Sequence, residues 1–221
     1  ARVHMAQTRY PLRVIHRYAL RREELAGVAA ALSRLGPESL SRMAAVPARR
    51  RQALPLVALT LLRLLAVARP DNVVFSAYGL REGLLQARLT EAERRDDPLI
   101  VACRKIALRE GRFAESAGAF HGWMEGLFAA DDPHFSRLRR AACLLSDIAW
   151  TANPDKRAAE AFHRIMNMPT LAVDHAGRAT IALALHARYG GAATEAAAAH
   201  RLVDAAAADR ATAVGIALRL G

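Results

Sequence analysis

The sequence predicts an α+β fold that is mostly helical, and two observations carry this prediction. Only two segments in the first ninety residues show the apolar or alternating pattern of strands. From residue 99 onward, apolar residues recur at helical spacing to the end of the chain. Because a two-stranded sheet is marginal in isolation, the first part is expected to be an incomplete lobe, with missing strands supplied by residues before Ala1 or by another chain. The second part is expected to be all-α.

A strand, a turn and a helix at residues 72–86 organise the first part. Residues 72–75 form a short β-branched and aromatic run after a turn at Pro70 and Asp71, which is typical of a strand. Residues 76–79 turn the chain, and a helix is predicted from Leu80 with apolar residues at 80, 84 and 85. Such a turn leaves free backbone N–H groups at the helix start, where an anion or a capping side chain can bind.

One further strand and three helices are predicted before this segment. Residues 10–20 alternate as a strand with one basic face. A helix at 23–35 should end at Gly36, and Pro37 should open a second, short helix. Residues 53–68 are apolar nearly all round, which predicts a buried helix.

Residues 90–98 separate the two parts. This stretch is rich in charge and ends at Pro98, as is typical of a linker between domains. The predicted organisation is a first domain at 1–89, a linker at 90–98 and a helical domain at 99–221. In the last domain, helices are predicted at residues 99–110, 114–128, 136–148, 155–166, 177–189, 193–207 and 209–220.

Positive charge is unevenly distributed along the chain. The net charge is +11, and residues 1–96 hold 17 basic against 8 acidic side chains, whereas residues 97–221 hold 15 against 13. An anionic partner is therefore expected to bind the first segment or its junction with the second. Lys105 and Lys156 are the only lysines, so arginine carries nearly all the charge. Arginine binds phosphate through paired hydrogen bonds, although a GC-rich genome also raises its frequency.

Composition argues against several other classes of protein. Cys103 and Cys143 are too few for a disulfide framework or a cysteine metal site, and their apolar surroundings predict buried, reduced thiols. The longest apolar run, at 53–62, is interrupted by Pro55 and falls far short of the ~20 residues that span a bilayer, so no membrane partner is expected. The start of the chain lacks the apolar core of a secretory signal, and a cytoplasmic location is expected.

Four segments resemble, in order, one known family. They are residues 10–16 (Tyr-Pro-Leu-Arg-Val-Ile-His), 46–50 (Val-Pro-Ala-Arg-Arg), 75–85 (Phe-Ser-Ala-Tyr-Gly-Leu-Arg-Glu-Gly-Leu-Leu) and 139–148 (Arg-Arg-Ala-Ala-Cys-Leu-Leu-Ser-Asp-Ile). The third resembles the signature of the exopolyphosphatase and guanosine pentaphosphate phosphatase family, and the others fit the same family. No segment resembles the family's glycine-rich phosphate loops, so the chain resembles the carboxy-terminal half of such a protein.

The resemblance implies a fold and an activity. Residues 1–89 would form the distal part of the second lobe of an actin-like (RNase H-like) core, and residues 99–221 a degenerate domain similar to HD phosphohydrolases. The full protein would use magnesium and a glutamate that activates water to hydrolyse terminal phosphoanhydride bonds of polyphosphate or guanosine pentaphosphate, and which of the two is the substrate stays open. The resemblance also implies a homodimer, but places no catalytic residue and no bound metal in this chain. Its signature residues, expected at the domain junction, are Ser76, Gly79, Arg81, Glu82 and Gly83.

A degenerate metal position is expected at Ser146 and Asp147. An HD-type site needs a histidine beside the aspartate and further histidines on neighbouring helices. Serine cannot replace the ligand nitrogen, and Gly190 stands where the resemblance implies a second histidine. Asp147 is therefore expected to be a structural carboxylate that caps a helix or pairs with an arginine.

Two further acidic residues invite a catalytic interpretation that the sequence does not favour. Asp174 precedes His175 at the point where a helix should start, which favours a role as N-cap. Glu82 follows Arg81 on a helix, and adjacent helical residues do not face each other. A fixed contact across the domain junction is the preferred prediction for this pair.

Arginines form the candidate substrate-binding set. The residues predicted to bind polyphosphate are Arg13, Arg17, Arg49, Arg50, Arg81, Arg137, Arg139 and Arg140, with Arg51 in the same basic turn as Arg49 and Arg50. A groove lined by arginines would gain from counterion release, whereas solvated arginines on unrelated faces remain an equal alternative. Nucleic acid competes for the same charge, but 5% aromatic residues and no recognised motif argue against base stacking.

The preferred function is the substrate channel and dimer contact of the resembled phosphatase, in a chain inactive by itself. Two alternatives belong to other classes. A stand-alone HD-like phosphohydrolase is disfavoured by the missing histidines. A non-enzymatic module that binds polyphosphate or nucleic acid is favoured by the uneven charge.

Overall fold

The computed structural model describes residues 1–112, 114–169 and 172–220. The chain forms two compact units, which we call unit 1 (Ala1–Gly79) and unit 2 (Leu80–Gly221). The division falls earlier than the boundary predicted at residue 89. The predicted linker also contains a short helix, Glu91–Arg95, whose N-cap Thr90 and residue Glu93 form a reciprocal capping box.

Unit 1 combines short helices with one pair of strands. Its elements are α1 (Arg2–Gln7), β1 (Ala19–Arg21), α2 (Arg22–Ser33), α3 (Pro37–Ser41), α4 (Ala48–Arg51), α5 (Leu54–Ala68) and β2 (Asn72–Val74). The strands are antiparallel, with Leu20 opposite Val73. Hydrogen bonds from Arg17 N–H to the Phe75 carbonyl and from Phe75 N–H to the Tyr18 carbonyl extend the pairing by one step. The strand predicted at residues 72–75 is thereby confirmed, and the helix predicted from Leu80 is present at Leu80–Ala87.

The strand predicted at residues 10–20 is wrong in extent, because β1 begins only at Ala19. Arg17 has a left-handed φ of +67°, which is incompatible with a continuous strand. The loop before it is fixed by a small core cluster of Met5, Tyr18, Leu20, Leu25 and Leu65.

The prediction of a fully buried helix at 53–68 is also wrong, although the helix itself is present as α5. Only Ala58 and Leu65 are buried, and Val67 is 86% exposed. The physical reason is that α5 packs mainly on α2, which covers a single face of a helix that is apolar on every side.

In the described residues, unit 2 contains helices and turns and no strand. Its α-helices are α6 (Leu80–Ala87), α7 (Glu91–Arg95), α8 (Pro98–Glu110), α9 (Ala117–Glu125), α10 (Pro133–Leu145), α11 (Arg157–Asn167), α12 (His175–Arg188), α13 (Ala197–His200) and α14 (Ala205–Leu220). The mostly helical α+β prediction is confirmed. The single helix predicted at 193–207 is wrong, because Asp204 caps the start of α14 by accepting a hydrogen bond from Ala207 N–H.

Helix α12 forms the centre of unit 2. Every residue from Gly177 to His186 is buried, and α11, α14 and α10 pack around it. Asp174 accepts a hydrogen bond from Gly177 N–H at 2.7 Å, so its predicted role as N-cap is confirmed. Across the described part of the chain, every helix is too short or too polar to cross a lipid bilayer.

Candidate functional site

Four of the predicted phosphate-binding arginines lie on exposed parts of unit 1. Arg13 and Arg17 belong to the loop between α1 and β1, and Arg49 and Arg50 belong to α4. Within the described residues, none of these four guanidinium groups forms an ion pair with a carboxylate. They are therefore open to an anion from solvent.

The charge of unit 1 is uncompensated because the unit has few carboxylates. It holds 13 arginines and no lysine against four acidic residues, a net charge of +9. The three glutamates of the unit are already paired, Glu24 with Arg21, Glu23 with Arg22 and Glu38 with Arg42. The remaining arginines repel one another, and an anionic partner would relieve that repulsion.

Arg51 differs from its two neighbours on α4. Its Nε donates a hydrogen bond of 2.9 Å to the Val46 carbonyl, and its guanidinium also bonds to the Ser41 carbonyl. Arg51 therefore joins α3 to α4 and is half-buried, whereas Arg49 and Arg50 point into solvent.

In unit 2, Arg137 holds the start of α8 in place. Its Nε and Nη2 atoms donate hydrogen bonds of 2.5 and 2.8 Å to the two carboxylate oxygens of Asp97. Asp97 also accepts a hydrogen bond from Leu99 N–H as the N-cap of α8. The planar fork of Arg137 is thereby occupied by a carboxylate from its own chain.

Arg139 is buried, with 3% of its side chain exposed. Its Nε lies 3.4 Å from Asp131 Oδ2, and its Nη1 donates a hydrogen bond to the His121 carbonyl. Arg210 binds the other carboxylate oxygen of Asp131 at 2.5 Å. Arg139 and the buried Asp131 therefore form an Arg–Asp–Arg cluster with the partly exposed Arg210, which we call the Asp131 cluster, and the Arg139 guanidinium does not face solvent.

The family-signature residues lie on both sides of the division between the units. In unit 1, Ser76 Oγ accepts a hydrogen bond from Tyr78 N–H at 3.0 Å, which closes the turn before α6. In unit 2, Arg81 Nη2 lies 2.8 Å from Glu82 Oε1, so the expectation that these neighbours do not meet is wrong. The long, exposed Arg81 side chain folds back at the first turn of α6 and reaches its neighbour. The structure leaves room for a side chain at Gly83, because a Cβ atom there would meet nothing within 4 Å.

The Ser146 and Asp147 position is occupied by arginine contacts. Arg112 donates hydrogen bonds from Nε and its backbone N–H to Asp147 Oδ2, both at 3.0 Å, and from Nη2 to Oδ1 at 2.9 Å. The Ser146 carbonyl accepts bonds from Arg188 and Tyr189. Burial by itself raises the pKa of Asp147, but the bonds from Arg112 outweigh this effect and the net pKa is lowered. The expected pairing of Asp147 with an arginine is present, whereas the degenerate metal position at Ser146 and Asp147 stays a prediction.

Comparison with known proteins decides the family. A family model described as "Exopolyphosphatase, C-terminal" matches residues 99–220, more than half of the chain. The chain belongs to this exopolyphosphatase family. No curated protein matches the chain. The resemblance derived from the four sequence segments is confirmed, and the match assigns residues 99–220 of this exopolyphosphatase-family chain, which belong to unit 2, to the C-terminal domain.

Among the described residues of this exopolyphosphatase-family chain, no dedicated cluster of ligands is present for the magnesium ion that the family implies. Magnesium requires several oxygen ligands in near-octahedral geometry. In residues 1–112, 114–169 and 172–220, no three His, Cys, Asp or Glu side chains cluster closely enough to hold a metal ion. Arg112 donates hydrogen bonds to both carboxylate oxygens of Asp147. The buried His186 pairs with a single carboxylate, since its Nε2 lies 3.3 Å from Glu195 Oε2.

Sequence reasoning missed two features of the buried carboxylates, namely the pairing of Arg112 with Asp147 and the burial of Asp131. Arg112 lies 35 residues from Asp147 in a loop after α8, and no local pattern connects them. Asp131 and Asp132 are neighbours in the sequence, but the structure gives them different roles. Asp132 caps α10 by accepting a bond from Phe135 N–H, and Asp131 turns inward.

The lowered pKa values of three carboxylates in unit 2 predict how the stability of this unit depends on pH. Hydrogen bonds from Arg137 lower the pKa of Asp97, and the pKa of Asp147 is also lowered. The pKa of Glu110 is lowered by its bond with Arg109. A carboxylate whose pKa is lower in the folded state contributes stability that is complete above its unfolded pKa of about 4. That stability is lost as the pH falls through the folded pKa.

We therefore expect the Tm of unit 2 to be nearly constant between pH 7 and about 5 and to fall below about pH 4. Both tryptophans, Trp123 and Trp150, lie in unit 2, so their fluorescence follows this unit. The matched variant is Asp97→Asn, which keeps the acceptor for Leu99 N–H but loses the charge that Arg137 binds. Its Tm should lie below that of the wild type at neutral pH and converge with it in acid. A constant difference down to pH 3 would contradict the assignment.

Proposed function

We propose that this chain is the C-terminal portion of an exopolyphosphatase or guanosine pentaphosphate phosphatase and that it holds the polyanionic substrate. The full protein would hydrolyse terminal phosphoanhydride bonds of polyphosphate or guanosine pentaphosphate with magnesium bound elsewhere. Unit 1 would be the distal part of an actin-like lobe, and unit 2 an HD-like domain without its metal. The chain alone would be inactive, and the protein would act in the cytoplasm as a homodimer.

The unpaired arginines of unit 1 are the observation that carries this proposal. Unit 1 has a net charge of +9 within 79 residues, and three of its four carboxylates are already paired. This charge creates a strong positive potential that attracts a polyanion. Polyphosphate carries about one negative charge per phosphate, and its binding releases counterions as nucleic acid binding does.

The contacts of unit 2 narrow the substrate-binding set. Arg137 and Arg139 bind Asp97 and Asp131, and Arg81 binds Glu82. The arginines of the original set that remain exposed and without a carboxylate partner in the described residues are Arg13, Arg17, Arg49, Arg50 and Arg140. We assign the main substrate contacts to the four of these that belong to unit 1.

The double variant Arg49→Gln/Arg50→Gln tests this assignment. We expect long-chain polyphosphate to bind the wild-type chain with an affinity that falls steeply with salt, and the double variant to bind roughly tenfold more weakly at 0.1 M salt. The slope of log affinity against log salt should decrease by about two, because two phosphate contacts are lost. Fluorescence anisotropy with labelled polyphosphate measures both quantities.

The matched control is Arg104→Gln/Arg201→Gln, which removes the same charge from exposed positions of unit 2. This control should change the affinity by less than about twofold. Equal effects of the two double variants would mean that net charge alone attracts polyphosphate, and the assignment to unit 1 would be wrong. Magnesium-dependent phosphate release by the chain alone would contradict the proposed inactivity.

A non-enzymatic module that binds polyphosphate or nucleic acid is the second candidate, since the same concentration of arginine supports it. A single-stranded oligonucleotide of matched charge distinguishes the two ligands. If it binds as tightly as polyphosphate over the same salt range, the nucleic-acid interpretation is favoured. A stand-alone HD-like phosphohydrolase receives no support, because Arg112 binds both carboxylate oxygens of Asp147.

A further inference from the structure

Unit 1 contains a pocket of about 510 Å³ beside α1. Three arginines, Arg2, Arg9 and Arg13, line it together with the apolar side chains of Met5 and Leu12, and no acidic residue does. Within the described residues, the three guanidinium groups form no hydrogen bond and no ion pair with the protein. Three unpaired cations at one concave surface repel each other unless an anion joins them.

The sequence spacing explains why these side chains converge. Positions 2, 5, 6 and 9 recur at i, i+3, i+4 and i+7, which is one face of α1 and the turn after it. Arg13 follows in the next loop and approaches the same pocket. Met5 is buried in the core cluster, so the floor of the pocket is apolar.

The backbone at Arg9 is held in a conformation that glycine adopts at lower cost. Arg9 has φ +48° and occupies the position after the C-cap of α1. Tyr10 N–H donates to the Met5 carbonyl at 2.8 Å and Arg9 N–H donates to the Ala6 carbonyl at 3.3 Å, which is the Schellman pattern. An arginine at this position costs stability that glycine would not.

We propose that this pocket binds one compact oxyanion of the phosphate class. Guanidinium groups bind phosphate oxygens through paired hydrogen bonds, and three of them match the two or more charges of a phosphate group better than the single charge of a carboxylate. A nucleobase is a poorer fit, because the Tyr10 ring packs edge-on against Tyr18 at 4.8 Å within the core. The pocket is a discrete site for one anion and goes beyond the extended arginine surface proposed for polyphosphate.

The test is calorimetric titration of the full chain with pyrophosphate and with orthophosphate at constant ionic strength. We expect saturable binding of one anion per chain. The variant Arg9→Gly removes one guanidinium and also relieves the left-handed backbone, so it should fold at least as well as the wild type. It should bind pyrophosphate at least about tenfold more weakly, because a charge-assisted pair of hydrogen bonds is lost.

Arg69→Gly is the matched control. Arg69 also has a left-handed backbone, with φ +44° at the C-cap of α5, but it does not line the pocket. This control loses the same charge and relieves the same kind of strain, and it should change the affinity by less than about twofold. Equal weakening in the two glycine variants, or heats that never saturate, would overturn the proposal.

The same titrations, carried out on the Arg49 and Arg50 double variant, distinguish this pocket from the proposed polyphosphate-binding surface. Arg49→Gln/Arg50→Gln should weaken long-chain polyphosphate but leave pyrophosphate affinity unchanged, because neither residue lines the pocket. If this double variant abolishes pyrophosphate binding, the anion binds at α4 and the pocket assignment is wrong. Tighter binding of pyrophosphate than of orthophosphate would indicate that the pocket binds the end of a polyphosphate chain. Tighter binding of orthophosphate would indicate that it binds a free phosphate ion.

Discussion

Replacing Gly215 by alanine is expected to destabilise unit 2 by about 3 kcal/mol. Gly215 lies on α14 at a close approach of this helix to the backbone of α12. A Cβ atom there would lie 2.2 Å from the Ala184 carbonyl oxygen and 2.9 Å from the Arg188 backbone nitrogen. Backbone atoms cannot rotate away as side chains do, so the two helices would have to separate.

The same substitution at Gly122 provides the control. Gly122 lies on the exposed face of α9, and a Cβ atom there would meet nothing within 4 Å. Because alanine costs less backbone entropy in a helix, Gly122→Ala should stabilise unit 2 by about 0.5 to 1 kcal/mol. Urea unfolding followed by tryptophan fluorescence compares the two variants within one unit. Similar effects of both variants would mean that α12 and α14 are not in close contact.

Replacing Asp131 by alanine is expected to destabilise unit 2 by about 3 to 5 kcal/mol, because it leaves the buried guanidinium of Arg139 without its counter-charge. Asp131 and Arg139 are 6% and 3% exposed, so water cannot replace the lost carboxylate. The effect should be measured by urea unfolding with tryptophan fluorescence. Arg140→Gln, at the exposed neighbouring position, should change stability by less than about 0.5 kcal/mol.

A double variant distinguishes a structural role of Arg139 from a substrate-binding one. Asp131→Leu/Arg139→Met replaces the buried pair by apolar side chains, which is often neutral or stabilising. We expect it to recover most of the stability that Asp131→Ala loses and to bind polyphosphate like the wild type. If Arg139→Met alone leaves stability unchanged but weakens polyphosphate binding, Arg139 contacts the substrate, and the structural role assigned to the Asp131 cluster is wrong.

Local signals in the sequence predicted most of the secondary structure. Asp174 and Asp132 precede predicted helices, and each accepts a hydrogen bond from a backbone N–H at the helix start. The strand at residues 72–74 followed its β-branched run. These features depend on residues within about four positions of each other, so the local sequence is enough to predict them.

Features that depend on distant contacts were not predictable in the same way. The alternating pattern at residues 10–20 indicated a strand, but packing of the Tyr18 ring into the core cluster placed Arg17 in a left-handed turn. The apolar composition of α5 indicated burial, which requires covering elements that α2 alone does not supply. An amphipathic or apolar pattern shows which face of an element would gain stability from burial. Whether that face is buried depends on the other elements of the fold that pack against it.

By itself, the sequence determined the family, the mostly helical composition and the concentration of arginine in the first part of the chain. Only the tertiary structure decided what each arginine does. Arg137 and Arg139 bind carboxylates 40 and 8 residues away, whereas Arg49 and Arg50 meet none among the residues that the structure describes. All four look alike in the sequence, because an arginine's availability depends on burial and on the nearest carboxylate in space.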